Sequence, residues 1–241
     1  MNFIKNVPIK QFKNGEFNDK TDSIIEEKNL DIIVNGNKFS IRLLSEHVDY
    51  FVYGYLFTNF FITGLGDIEE FNIKKDEISV KIKDSVDIPK KFALVSSCFS
   101  SGEAFAELSP IENDFNLDPE TIIENTGVFL KQGKYFEETG CTHLAALFQN
   151  EKLIISFEDI GRHNAIDKIA GYILKENIKT DDHMIFTTGR ISSEIVKKVI
   201  RIKVPLLVSR SAVTCAAMNT AQIFNLKVIG FSRNKRFNLY T

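Results

Sequence analysis

From residue 184 onward the chain runs through one kind of unit three times, and that repetition limits the fold more than any other feature. Residues 184–186 read as a strand, Thr187-Thr188-Gly189-Arg190 as a turn and 192–202 as a helix. Residues 205–208, the turn Ser209-Arg210-Ser211 and residues 213–224 repeat the order. A third strand, 226–230, leads into Ser232-Arg233-Asn234-Lys235-Arg236. Strands that alternate with helices through short loops require an α/β layer containing parallel pairs. Each turn sets hydroxyl side chains and an Arg just beyond a strand's C-terminal end, the edge at which open α/β sheets bind ligands. The repetition reflects fold class rather than a solenoid array.

Upstream lies an unusually polar stretch, Glu158-Asp159-Ile160-Gly161-Arg162-His163-Asn164-Ala165-Ile166-Asp167-Lys168. A strand-like run, 153–157, leads in, and a helix leads out with Ala165, Ile166, Ile169, Ala170, Ile173 and Leu174 at helical spacing. Asp159 is placed to cap that helix, and Gly161 to let a ligand or another backbone approach its first turn. The free N–H groups and positive dipole end of such a turn favour an anion. His163 and Asp167, four apart, share a face, which predicts that the carboxylate holds one imidazole tautomer. Each of these residues alone would also suit a solvated polar helix face; the cluster together reads as a binding site.

The first 28 residues read as a polar, loosely held lead-in ending in a short strand. Residues 30–34 and 38–43 flank Asn35-Gly36-Asn37, a strong hairpin signal. Ser45 is positioned to cap a helix from Glu46 with Val48, Phe51, Val52, Tyr55 and Leu56 on its apolar face. Residues 68–73 and 78–82 alternate as half-buried antiparallel strands do. Residues 92–97 read as a buried strand that delivers Cys98 into a Ser/Gly loop, and Ser100-Ser101-Gly102-Glu103 has capping-box form. A thiol just ahead of a helix start is more readily ionised, whereas a free Cys is otherwise most often a small buried hydrophobe. Residues 110–118 read as a connector between an N-terminal β-rich part (1–110) and an α/β part (111–241). A helix over 120–131 is expected to turn Ile123, Thr126, Gly127 and Leu130 inward, ahead of a strand over 142–148 that carries His143.

Three scattered cysteines (Cys98, Cys141, Cys215) make no disulfide framework and fit a reducing, cytoplasmic setting. The first residues lack a signal peptide's apolar run, and no run approaches membrane-spanning length. Charge is divided unevenly: residues 189–241 hold ten Lys/Arg against Glu194 alone, +9, so the remainder carries −11 of the net −2. A basic C-terminal part suits an anionic ligand. Guanidinium groups grip phosphate through paired charge-assisted bonds, and Ser/Thr hydroxyls add to them. Three Arg-bearing turns meeting the Gly161 helix start would therefore form one phosphate-binding pocket. Neither a P-loop nor a dinucleotide fingerprint occurs at these turns. Too few aromatic residues interleave with the basic ones for a nucleic-acid platform, although Phe231 and Phe237 bracket the last turn and suit a single base. Zinc deaminase chemistry is excluded by the missing H-x-E and P-C-x-x-C. A hydrolase using Ser192 or Ser209 lacks a nucleophile elbow.

EDIGRHNAIDK, TTGRISSEIV, VPLLVSRSAVT and GFSRNKRFNLYT, with HVDYFVYGYLFTNFFI and SSCFSSG before them, resemble the FdhD/NarQ family of formate dehydrogenase accessory sulfurtransferases from about Asp31 to the last residue. The resemblance implies a three-layer α/β/α core like the cytidine deaminase fold, with a smaller, mostly antiparallel N-terminal subdomain. It implies that Cys98 takes persulfide sulfur from a cysteine desulfurase and passes it to bis-molybdopterin guanine dinucleotide, destined for a formate dehydrogenase apoprotein. Arg162, His163, Asn164, Asp167, Gly189, Arg190, Ser192, Ser209, Arg210, Phe231, Ser232, Arg233, Asn234, Lys235 and Arg236 would then hold the cofactor, with GDP or GMP as surrogate. A homodimer is implied too. The family's loop often reads C-x-x-C, but Ser101 stands at the second position. That departure keeps a second reading open, a chaperone that binds and delivers the cofactor without covalent sulfur chemistry.

Overall fold

Two sheets, one on each side of a layer of helices, organise the chain in the computed structural model, which describes residues 3–75, 77–83, 108–112 and 114–241. The strand expected over 92–97, the capping box at 100–103 and Cys98 itself lie outside the described residues.

The larger sheet has six strands: β7 (His143–Gln149), β8 (Lys152–Asp159), β9 (His183–Thr187), β10 (Leu206–Ser209), β11 (Lys227–Arg233) and β12 (Arg236–Leu239), in the order β12-β11-β10-β9-β7-β8. β9, β10 and β11 run parallel, as the repeated units require, while β7, β8 and β12 join antiparallel. Alternate strand residues face opposite ways. Ala145, Leu147, Ile185, Leu207 and Val228 pack under α4 (Arg162–Lys175), α5 (Ser193–Arg201) and α6 (Cys215–Ile223). Leu144, Ala146, Phe148, Phe186 and Val208 pack under α2 (Pro119–Phe129) on the other face. The result is a mixed α/β core in three layers.

The smaller sheet runs β4-β3-β6-β5, built from β3 (Lys28–Val34), β4 (Asn37–Leu43), β5 (Ile68–Lys74) and β6 (Glu77–Ile82). Asn35 and Gly36 sit at φ 45° and 81°, the two positive values that a tight β3–β4 hairpin turn needs. Helix α1 (Val48–Thr58) buries Phe51, Val52 and Leu56 against this sheet and its opposite side against α4. The α1–α4 crossing is backbone on backbone. A Cβ on Gly54 would come 1.8 Å from the Asp167 carbonyl oxygen, and one on Gly171 would come 1.8 Å from that of Tyr50. This contact fixes the smaller sheet to the helix that carries the polar stretch.

Several expectations are corrected. The first 28 residues are no loose lead-in: β1 (Ile4–Lys13) and β2 (Glu16–Ile25) form a ten-pair antiparallel hairpin around Asn14-Gly15. Helix α1 starts after His47, which is left-handed at φ 55°, and Ser45 does not cap it: its buried hydroxyl has no partner among the described residues. On α2, Ile122, Asn125, Thr126 and Phe129 are buried, whereas Gly127 and Leu130 are exposed, one residue out of phase with expectation. Residues 232–236 form no strand-to-helix corner. β11 continues through Arg233, and Asn234 and Lys235, at φ 54° and 58°, turn it back as β12. Among the described residues, no helix is long and apolar enough to cross a membrane.

Candidate functional site

Parallel β9, β10 and β11 end on the same sheet edge, and the antiparallel pairing brings the start of β7 and the end of β8 there too, with His143 opposite Asp159. The turns beyond these ends are laced together. The Ser209 hydroxyl donates to the Gly189 carbonyl (2.6 Å) and accepts the Ser211 N–H (2.9 Å). The Ser211 hydroxyl donates to the Thr188 carbonyl (2.9 Å), the Arg210 N–H to the Thr187 carbonyl (3.1 Å) and the Phe231 N–H to the Ser211 carbonyl (3.0 Å). Thr188 Oγ1 accepts the Leu144 N–H at 3.0 Å, which joins β7 to the group. The first two corners and Phe231 therefore meet at one rim.

Helix α4 starts at that rim, by a mechanism other than the expected cap. Gly161 is its N-cap residue, and Asp159 ends β8, fully buried. Asp159 pairs with Lys168 at 2.8 Å and accepts the N–H groups of Leu44 and Gly161 and the amide of Asn164. Lys168 also donates to the carbonyls of Leu44 and Glu158, so every charge in this buried group is partnered. The Asn164 amide is spent on Asp159 and the Arg42 carbonyl, and it fills the space beside Gly161 that a ligand was expected to use.

Asp167 does not hold His163. Its carboxylate, 1% exposed, accepts two bonds from Lys198 of α5 (2.7 and 3.0 Å) and one from Thr58 of α1 (2.7 Å). It pins three helices together and presents no free edge to a cofactor. Burial, the largest influence, raises its pKa despite Lys198. Gly189 likewise admits a side chain of this chain, because a Cβ there would lie 2.8 Å from Cβ of Arg162. Ser209 is fully buried within the lacing, and Ser232 shares its buried hydroxyl with Thr126 of α2 (2.6 Å). Phe237 packs into the core on the α2 side. Ser192 stands at the N-cap position of α5 without making a side-chain cap.

What faces outward at the rim is cationic. Arg190 is exposed, and Arg162, His163, Arg210 and Phe231 are half-buried. Phe231 holds a left-handed φ of 54°, and the Arg233 guanidinium lies 5.8 Å from its ring centre. Arg233, Asn234, Lys235 and Arg236 project on the β11–β12 turn. Among the described residues, no carboxylate forms an ion pair with Arg162, Arg190, Arg210, Arg233, Lys235 or Arg236. Among the described residues, the buried Arg162 Nε and His163 Nε2 have no hydrogen-bond partner.

The two rim histidines feel this charge. Burial first, then Lys198 and Arg162, holds the His163 pKa down at about 3, with Glu194 opposing. Burial and Arg162 also lower that of His143, whose Nδ1 lies 3.4 Å from Thr188 Oγ1. Both imidazoles are therefore neutral near pH 7, able to donate one bond and accept one, in a positive field. His143, Thr188 and Ser211 were missed as site residues from sequence. The signal for Thr188 and Ser211 was their place in the same turns; His143 became visible only through the β7–β9 pairing.

The comparisons with known proteins agree with one another. The model of the FdhD/NarQ family matches residues 25–241. A Bacillus pumilus protein named sulfur carrier protein FdhD is 34% identical, covering 97% of this chain and 94% of its own length. A Listeria innocua protein of the same name is 34% identical, covering 100% and 98%. A crystal structure from Desulfotalea psychrophila, provisionally described as a formate dehydrogenase accessory protein, superposes with TM-score 0.87 at 25% identity, covering 100% of this chain and 98% of the other.

Proposed function

The chain belongs to the FdhD/NarQ family, and on that premise we propose that it is a sulfur carrier in formate dehydrogenase maturation whose cationic rim holds the phosphorylated part of bis-molybdopterin guanine dinucleotide. The observation that carries the reading is the rim itself: among the described residues, Arg162, Arg190 and Arg210 have no carboxylate partner, and Arg162 Nε and His163 Nε2 have no hydrogen-bond partner. A buried N–H left without an acceptor costs about 1–3 kcal/mol, which a ligand phosphate oxygen would recover. Neutral His163 would bond that oxygen without adding charge, and the arginines would supply the charge. The names of the relatives supply the sulfur-carrier part of the reading.

Cys98 is the proposed carrier. Its thiolate attacks the outer sulfur of a cysteine desulfurase persulfide, forming a persulfide on Cys98 and releasing the desulfurase thiolate. One sulfur atom needs one thiol, so Ser101 in place of a second Cys leaves that step intact. The test is intact-protein mass spectrometry after incubation with cysteine desulfurase and cysteine. The expected result is a gain of one sulfur atom that reductant removes and that Cys98→Ala abolishes. A chaperone without covalent chemistry would gain nothing and still bind GDP, and that outcome would remove Cys98 from the mechanism.

A further inference from the structure

Two Asn-Gly dipeptides occur in the chain, Asn14-Gly15 and Asn35-Gly36, and each makes the tight turn of an antiparallel hairpin with positive φ at both residues. In such a dipeptide the backbone nitrogen of the second residue can attack the amide carbon of the first, because glycine has no Cβ to hinder the approach. Ring closure requires ψ at the asparagine to leave its value in the turn. The reaction therefore follows how often the turn opens and whether the amide is free to swing round.

Asn35 is latched. Its Nδ2 donates to the Ile82 carbonyl (3.0 Å), its Oδ1 accepts the Ile82 N–H (2.8 Å), and its own N–H bonds the Val80 carbonyl (3.1 Å), all on β6. The strands it joins bury Val34 and Phe39 in the core of the smaller sheet. Asn14 has no such hold. Its side chain makes no hydrogen bond among the described residues, and residues 10–22 are all exposed. The hairpin is anchored at its base, where buried Phe3 meets the ring of Tyr135 on α3 (Lys134–Thr139). Its tip lies beyond that anchor and belongs to a two-stranded sheet, an arrangement of marginal stability in water.

We infer that Asn14 is a site of spontaneous deamidation and isoaspartate formation, and that Asn35, the same dipeptide in the same kind of turn, is protected by its bonds to β6. The Gly15 nitrogen, its proton taken by solvent base, attacks Cγ of Asn14. The bond from Cγ to the side-chain nitrogen breaks, and that nitrogen leaves as ammonia after taking up a proton. Water then opens the resulting succinimide. Attack at Cγ leaves an aspartyl residue, and attack at the main-chain carbonyl leaves an isoaspartyl residue whose chain runs through the side-chain carbon. The isoaspartyl link lengthens a two-residue turn by one backbone atom and adds a carboxylate beside Glu16, which works against the Lys13–Glu16 pairing at the tip. The inference stands independently of the cationic rim and of the sulfur chemistry.

The test is a time course of the full chain in warm, mildly alkaline buffer, folded and in urea, read by peptide mapping with fragmentation that distinguishes isoaspartyl from aspartyl residues. In urea neither turn is held, and the two sites are expected to convert at comparable rates. In the folded chain Asn14 is expected to convert roughly tenfold or more faster than Asn35, with isoaspartate at position 14. Equal rates at the two sites in the folded chain would overturn the inference, as would a folded Asn14 still intact once the chain in urea has converted.

Discussion

Replacing Gly171 by Ala tests the crossing that holds the site-bearing helix in place. The new methyl would sit 1.8 Å from the Tyr50 carbonyl oxygen, whereas ordinary contact begins near 3.4 Å, so α1 and α4 must part locally by the difference, 1.6 Å. Neither side can yield by a rotamer change, because the obstacle is backbone. Overpacking a core costs about 1–3 kcal/mol when side chains can adjust, so about 3 kcal/mol or more is expected here. The same displacement strains the bonds from Thr58 and Lys198 to Asp167. Gly127→Ala is the control. It lies in α2 with nothing within 4 Å of its would-be Cβ, and relief of glycine's entropy there should stabilise by about 0.5–1 kcal/mol. Urea unfolding of both variants gives the two signs directly. A Gly171→Ala protein within about 1 kcal/mol of wild type, or one less affected than Gly127→Ala, would refute the reasoning.

Lys198→Met leaves Asp167 buried with Thr58 as its remaining partner and should cost about 3–5 kcal/mol at neutral pH. Burial already raises the Asp167 pKa, so the folded state keeps the proton to higher pH than the unfolded chain. The deficit should therefore shrink as pH falls through the folded pKa, and a pH-independent deficit in chemical denaturation would contradict this. Ser209→Ala removes both the bond to Gly189 and the acceptor for Ser211, and should lower stability by about 1–3 kcal/mol together with GDP affinity; unchanged GDP affinity would separate the lacing from the site. A phosphate bound beside His163 should raise its pKa from about 3, and NMR titration of the imidazole with and without GDP reads that shift.

The parallel part of the core was legible because strand, turn and helix signals there are local: β9, α5, β10, α6 and β11 all lie where their patterns place them. The β3–β4 turn was legible for the same reason. The β1–β2 hairpin carried an identical Asn-Gly signal at Asn14-Gly15, but exposure on both faces removes the alternation that marks a strand. At the rim, the corners named from sequence lie together, but several of their side chains serve the fold instead of facing outward. Asp159, Asp167, Asn164 and Ser209 are polar in a conspicuous stretch, yet each is consumed by a partner far away in sequence: Leu44, Lys198, Arg42 and Gly189. Gly54 and Gly171 match no motif, because their requirement arises only where two helices cross.

Calorimetry of GDP binding tests the cationic rim most directly, with wild type compared to Arg190→Ala, an exposed side chain whose loss should leave stability unchanged. Binding should weaken as salt is added, and Arg190→Ala should lose roughly 10- to 100-fold in affinity, the worth of one charge-assisted phosphate contact. No detectable GDP binding by the wild type at low ionic strength would contradict the account.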